Sequence, residues 1–135
     1  MPASEGAGPS SQQDSWVGIV DDDASLRSAL ARALRGIGIR TETFESAEEF
    51  LDRIVEGEPE CIVLDIHLRG MSGFELQDFL ASRSAAPPII FITAHDEGFS
   101  PQARIHGACG YLRKPFDTNA LVALIRPHLR GALMD

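Results

Sequence analysis

Trp16-Val17-Gly18-Ile19-Val20-Asp21-Asp22-Asp23 decides how the rest of the chain is read. Its apolar run is too short for a helix, is β-rich at its end, and stops abruptly on three acids. That pattern is a buried strand ending in carboxylates. Leu26, Leu30, Ala33, Leu34 and Ile37 then recur on one helix face, with Asp23 as the expected N-cap and Gly36 and Gly38 marking the end.

The same cycle repeats outward. Arg40 to Phe44 alternates weakly, and Ser46 with Glu49 forms a capping-box pattern ahead of Ala47, Phe50, Leu51, Ile54 and Val55. Cys61 to Leu64 is a continuous apolar strand ending at Asp65, followed by Phe74, Leu76, Phe79 and Leu80 on a helix opened by Gly73. Ile89 to Ile92 is a third such strand, ending at Thr93. Ser100 and Pro101 have N-cap and N1 chemistry for a helix running to about Ala108. Tyr111 to Lys114 is a short last strand, and Asp117 caps a closing helix through Leu121, Leu124 and Ile125. Pro127 falls inside that last pattern, where an interior proline costs about 3 kcal/mol, so the helix should kink or end near Ile125.

Strands that are apolar throughout are covered on both faces, and strands alternating with helices make crossovers. The expected fold is therefore α/β: a doubly wound, five-stranded parallel sheet with five helices. A chain of 135 residues holds one such domain, placed at 16–131, behind a Ser-, Gly-, Pro- and Gln-rich segment, 1–15, expected to be a disordered tail.

That opening segment lacks the basic start and apolar stretch of a signal peptide, and no apolar run approaches the roughly 20 residues that span a bilayer. A cytoplasmic protein without membrane contact is expected. A net charge of −8 works against direct nucleic-acid binding, which depends on clustered Lys and Arg. Cys61 and Cys109 show neither disulfide nor metal-ligand spacing, and both are expected to be reduced core residues. His106 and His128, without acidic partners at useful spacing, are expected to face solvent.

In open α/β sheets, ligands bind outside the carboxyl ends of the strands. Here those ends carry Asp21 and Asp22, then Asp65, then Thr93, then Lys114. Three carboxylates brought together either hold raised pKa values or recruit a cation, and hard oxygen ligands favour Mg2+. Lys114 is the only lysine, the other 11 basic residues being arginine, so a compact point charge is wanted at that strand end. A carboxylate nucleophile, a divalent metal, a lysine and a hydroxyl donor are the parts that move a phosphoryl group. The residues by themselves point to an aspartyl phosphate.

Val20-Asp21-Asp22-Asp23, Asp65-Ile66-His67-Leu68, Thr93-Ala94 and Tyr111-Leu112-Arg113-Lys114-Pro115-Phe116 together resemble the motif set of bacterial two-component receiver domains. The likeness covers about Val17 to Leu129 and is closest to single-domain, chemotaxis-regulator-like receivers of flavodoxin-like fold. It implies that Asp65 is the phosphoacceptor and that Asp22 and Asp65 ligate Mg2+, with Asp21 supporting it and His67 lending its backbone carbonyl. It further implies that Thr93 and Lys114 hold the phosphoryl oxygens, that Tyr111 swings inward as Thr93 moves, and that the Lys114-Pro115 bond is cis. Expected partners are a sensor histidine kinase or phosphotransfer protein and a downstream protein target. The chain is read as catalysing its own phosphorylation and dephosphorylation, not as an enzyme acting on other substrates.

One departure stands out. The family often has proline about four residues beyond the phosphoacceptor, whereas Asp65 is followed by His67, Leu68, Arg69 and Gly70, so this loop is expected to be looser. His67 and His95 lie at the mouth of the pocket and are expected to influence phosphoryl lifetime. Two other readings stay open. A phosphatase of the haloacid-dehalogenase type would need a second aspartate where His67 stands, and a phosphorylation-independent interaction module would leave the full acid, Thr93 and Lys114 set unexplained.

Overall fold

The computed structural model describes residues 15–83, 86–94 and 108–130. β1 (Val17–Val20), α1 (Ala24–Gly36), β2 (Thr41–Phe44), α2 (Ala47–Ile54), β3 (Cys61–Asp65), α3 (Gly73–Ala81), β4 (Ile89–Thr93), β5 (Gly110–Arg113) and α4 (Thr118–Ile125) follow in chain order. The strands form one parallel sheet in the order β2-β1-β3-β4-β5.

Period-two alternation divides the core. Ile62 and Leu64 of β3 join Phe50 and Ile54 of α2 and Leu76 and Leu80 of α3 on one face. Cys61 and Val63 join Leu30 and Leu34 of α1 and Leu121 and Ile125 of α4 on the other. The sheet is thus wound on both sides, as its apolar strands require. Gly18 permits the close packing beneath β1, since a Cβ there would lie 3.2 Å from the rings of both Phe50 and Trp16.

Among the described residues there are four α-helices, and the fifth expected one, from Ser100, lies outside them, as do residues 1–14 of the expected tail. The closing helix stops at Ile125 and continues as a 3₁₀ turn over Arg126–His128, the outcome that Pro127 dictates. No helix among the described residues is long and apolar enough to cross a membrane.

Four expectations need correcting. Ser46 caps α2, accepting from Glu49 N at 3.0 Å, but the Glu49 carboxylate takes the N–H of Glu45 at 2.8 Å, so that box is not reciprocal. The reciprocal box is at α3, where Ser72 and Glu75 exchange bonds of 3.1 and 2.8 Å. Cys61 is buried, which pushes its thiol up to about 12, but Cys109 is exposed, because it precedes β5 at the sheet edge. His128 is half-buried, drawn in by the 3₁₀ turn.

The β3–α3 loop is also not loose. Glu48, in the first turn of α2, accepts the N–H of Met71 at 3.1 Å, and Gly73 N donates to Ile66 O at 2.9 Å. Gly70 turns there with φ +75, a conformation other residues rarely adopt. Tethers at both ends replace the stiffness that proline would have given.

Candidate functional site

With this strand order the chain reverses its direction of winding between β1 and β3, and the crevice beyond their carboxyl ends is where ligands bind. Asp21 follows β1 and is fully buried; Asp65 ends β3 with 5% exposure. Oxygens of Asp21, Asp22 and Asp65 all lie within 4.8 Å of one another. Local bonds aim them: Asp23 N donates to Asp21 Oδ1 at 2.9 Å, Arg27 Nη1 holds the Asp21 carbonyl at 2.8 Å, and His67 N donates to Asp65 Oδ1 at 3.1 Å.

Lys114 enters from one residue beyond β5. Its Nζ lies 2.9 Å from Asp21 Oδ2 and 3.4 Å from Asp65 Oδ2. Its N–H donates to the Thr93 carbonyl at 2.8 Å, locking the ends of β4 and β5 together, and the Lys114-Pro115 bond is cis.

Desolvation pushes the Asp65 carboxyl up to about 6, the Asp21 charge adds to the rise, and Lys114 and the His67 amide oppose it. For Lys114, burial favours the neutral amine, but Asp21 and Asp65 outweigh it and hold the ammonium above its ordinary range. The three carboxylates face the Lys114 ammonium and, at 4.0 Å from Asp22, the exposed Arg69 guanidinium, and still carry an excess of negative charge. Hard oxygen donors with that deficit suit a small divalent cation such as Mg2+.

Thr93 is fully buried at the end of β4, beside Arg113 in the register. Tyr111 is half-buried two strand positions back from that end, its ring 6.2 Å from Phe91. The His67 side chain is exposed, while His95 lies outside the described residues. The sequence reading did not single out Arg27, Glu48 or Arg69. Arg27 stands one helical turn beyond the N-cap Asp23, a spacing visible in the sequence. The Glu48 contact spans 23 residues and carried none.

The family model described as the response regulator receiver domain matches residues 17–126. The chain belongs to the response regulator receiver domain family. Among relatives of this receiver domain, the DNA-binding transcriptional regulator NtrC of Klebsiella pneumoniae is 43% identical over 108 residues, which make up 79% of the chain and 23% of NtrC. The chain spans between 23% and 51% of the length of the first curated relatives it matches. A response regulator receiver protein of Burkholderia phymatum superposes with a TM-score of 0.74 at 42% identity, over 84% of this chain and 94% of that one. The response regulator TrrA of Thermotoga maritima, in complex with Mg2+-BeF, gives 0.77 at 27% identity, over 85% and 99%. The five-stranded sheet and its helices therefore form a flavodoxin-like receiver fold. Aspartyl phosphorylation with Mg2+ is a property of this family, as is partnership with two-component kinases and downstream effectors.

Proposed function

We propose that this receiver domain accepts a phosphoryl group on Asp65 from a sensor histidine kinase or phosphotransfer protein and passes the signal to a downstream protein through a changed surface. The observation that carries this reading is the single ammonium of Lys114 set between the carboxylates of Asp21 and Asp65, with Asp22 completing the acid cluster.

Asp21, Asp22, Asp65 and the backbone carbonyl of His67 are the ligands proposed for Mg2+, which would neutralise the crowded acids and the incoming phosphoryl oxygens. A carboxylate oxygen of Asp65 attacks phosphorus, the bond from phosphorus to the donor nitrogen breaks, and the electron pair leaves with that nitrogen, which takes a proton. Asp65 must be ionised to attack, and Lys114 favours that form against the burial and the Asp21 charge that raise its carboxyl to about 6.

Lys114 then holds one phosphoryl oxygen and the Thr93 hydroxyl another, and Tyr111 follows Thr93 inward, biasing the surface near β5. Water attack on the same phosphorus returns Asp65, making the domain a catalyst of its own gain and loss of phosphate. His67, exposed two residues beyond Asp65, and His95, two residues beyond Thr93 in the sequence, would influence how long the group lasts. The complete acid and Lys114 set favours this over a module that binds without phosphorylation.

Beryllofluoride, which mimics a phosphoryl group, tests the reading by 19F NMR. Bound signals that require both Mg2+ and Asp65, and vanish in Asp65→Asn, are expected. Unchanged spectra in the wild type would overturn it in favour of the interaction module.

A further inference from the structure

The three carboxylates of the cluster do not share one counter-ion. Asp21 and Asp65 face Lys114, whereas Asp22 faces Arg69, whose Nε lies 4.0 Å from Asp22 Oδ2. Arg69 stands where the resemblance to the family leads one to expect proline, and its side chain is 94% exposed, reaching across the mouth of the crevice from the β3–α3 loop.

That reach follows from how the loop is held. The residue after Arg69 is Gly70, and a Cβ there would lie 2.9 Å from Glu48 Oε2, so the backbone is pressed against the α2 carboxylate that also takes the Met71 N–H. Immediately beyond, the Ser72–Glu75 box starts α3, and Gly73 passes so close to the phosphoacceptor strand that a Cβ would lie 2.5 Å from Asp65 O. The chain is thus held on both sides of Arg69, at His67 by Asp65 and at Met71 by Glu48.

We propose that Arg69 is a tethered cation that competes with Mg2+ for Asp22 and so weakens metal binding at this site. This rests on the metal-dependent reading of the acid cluster. A divalent ion that takes Asp22 as a ligand must displace the guanidinium and then bind beside a like charge. Both effects lower affinity. Proline, at the same position, would do neither. Because the Arg69 side chain is in water, the pair is weakly coupled and screened by salt, so the expected effect is modest and sensitive to ionic strength.

The test is the Mg2+ dissociation constant by titration calorimetry for the full chain, its Arg69→Ala, Arg69→Gln and Arg69→Lys variants, and Arg69→Ala in an Asp22→Asn background. Both neutral variants should bind Mg2+ roughly two- to fivefold more tightly at low salt, with the gain shrinking in 0.5 M salt, and Arg69→Lys should stay within about twofold of wild type. In the Asp22→Asn background, titrated to Mg2+ concentrations that saturate its weakened site, the Arg69→Ala gain should disappear, and a gain of equal size retained there would mark a general loop effect and overturn the inference. Wild type that binds Mg2+ while the neutral variants bind equally or more weakly overturns this inference alone. Absence of Mg2+ binding in every protein overturns the inference together with the function on which it rests.

Discussion

The two edges of the sheet carry similar residues and use them in opposite ways. At the amino-terminal edge, Arg53 grips Glu42 in a fork of 2.7 and 3.0 Å and stacks 4.3 Å over Trp16, while Arg83 meets Glu58 at 2.6 Å and Arg130 meets Glu60 at 3.5 Å. Glu42, Glu58 and Glu60 each face at least one guanidinium there, and the Arg53 hydrogen bonds hold the Glu42 carboxyl below its ordinary range. At the carboxyl edge, buried Asp21 and Asp65 share one ammonium, and Asp65 is pushed up to about 6. Paired charges stabilise a fold; charges held short of partners are ready for a ligand. Local rules are broken where function is placed.

The strongest way to break this contrast is to remove the shared ammonium. Lys114→Met leaves two buried acids without their cation, and stability should fall by about 2–4 kcal/mol at pH 7 in urea unfolding. At the satisfied edge, Arg53→Ala loses the fork and the ring contact but leaves Glu42 partly solvated, so the loss should be smaller, about 1–2 kcal/mol.

The opposite sign is expected for Asp65→Asn. In chelator it should stabilise the protein by about 1–2 kcal/mol at pH 7, because it removes a carboxylate that burial and Asp21 disfavour. The folded carboxyl holds its proton to about 6 while the unfolded one releases it near 3.8. Wild-type stability contributed by this group is therefore complete below 3.8 and is lost as pH rises through 6. The advantage of the variant should open across that window, and unfolding curves at several pH values check it.

The smallest effect sharpens the contrast away from either edge. Gln77 on α3 is buried, and among the described residues neither its amide oxygen nor its amide nitrogen has a hydrogen-bond partner. Gln77→Leu should raise stability by about 1 kcal/mol by thermal or urea unfolding, since it removes that desolvation cost.

The strands, their order of appearance and the acidic edge were legible because apolar runs ended on Asp21, Asp65 and Thr93, and a parallel sheet sends all such ends to one side. Asp23 and Asp117 were legible as caps for the same local reason. What could not be read depended on direction or distance. A run of three aspartates does not reveal that Asp21 turns into the core while Asp22 faces the mouth, because each residue of a turn points differently. Ser46 and Ser72 both precede a glutamate by three residues, yet only Ser72 closes the box, since Glu49 finds the N–H of Glu45 instead. The tether from Glu48 to Met71 joins two elements with no local pattern between them, and it reversed the expectation of a loose loop.

The central claim is that Asp65 is a phosphoacceptor, and intact mass spectrometry tests it most directly. With Mg2+ and acetyl phosphate the wild type should gain one phosphoryl group, lose the gain when Mg2+ is chelated beforehand, and show none as Asp65→Asn. A phosphoryl group gained equally by Asp65→Asn, or by the wild type without any divalent ion, would contradict the account.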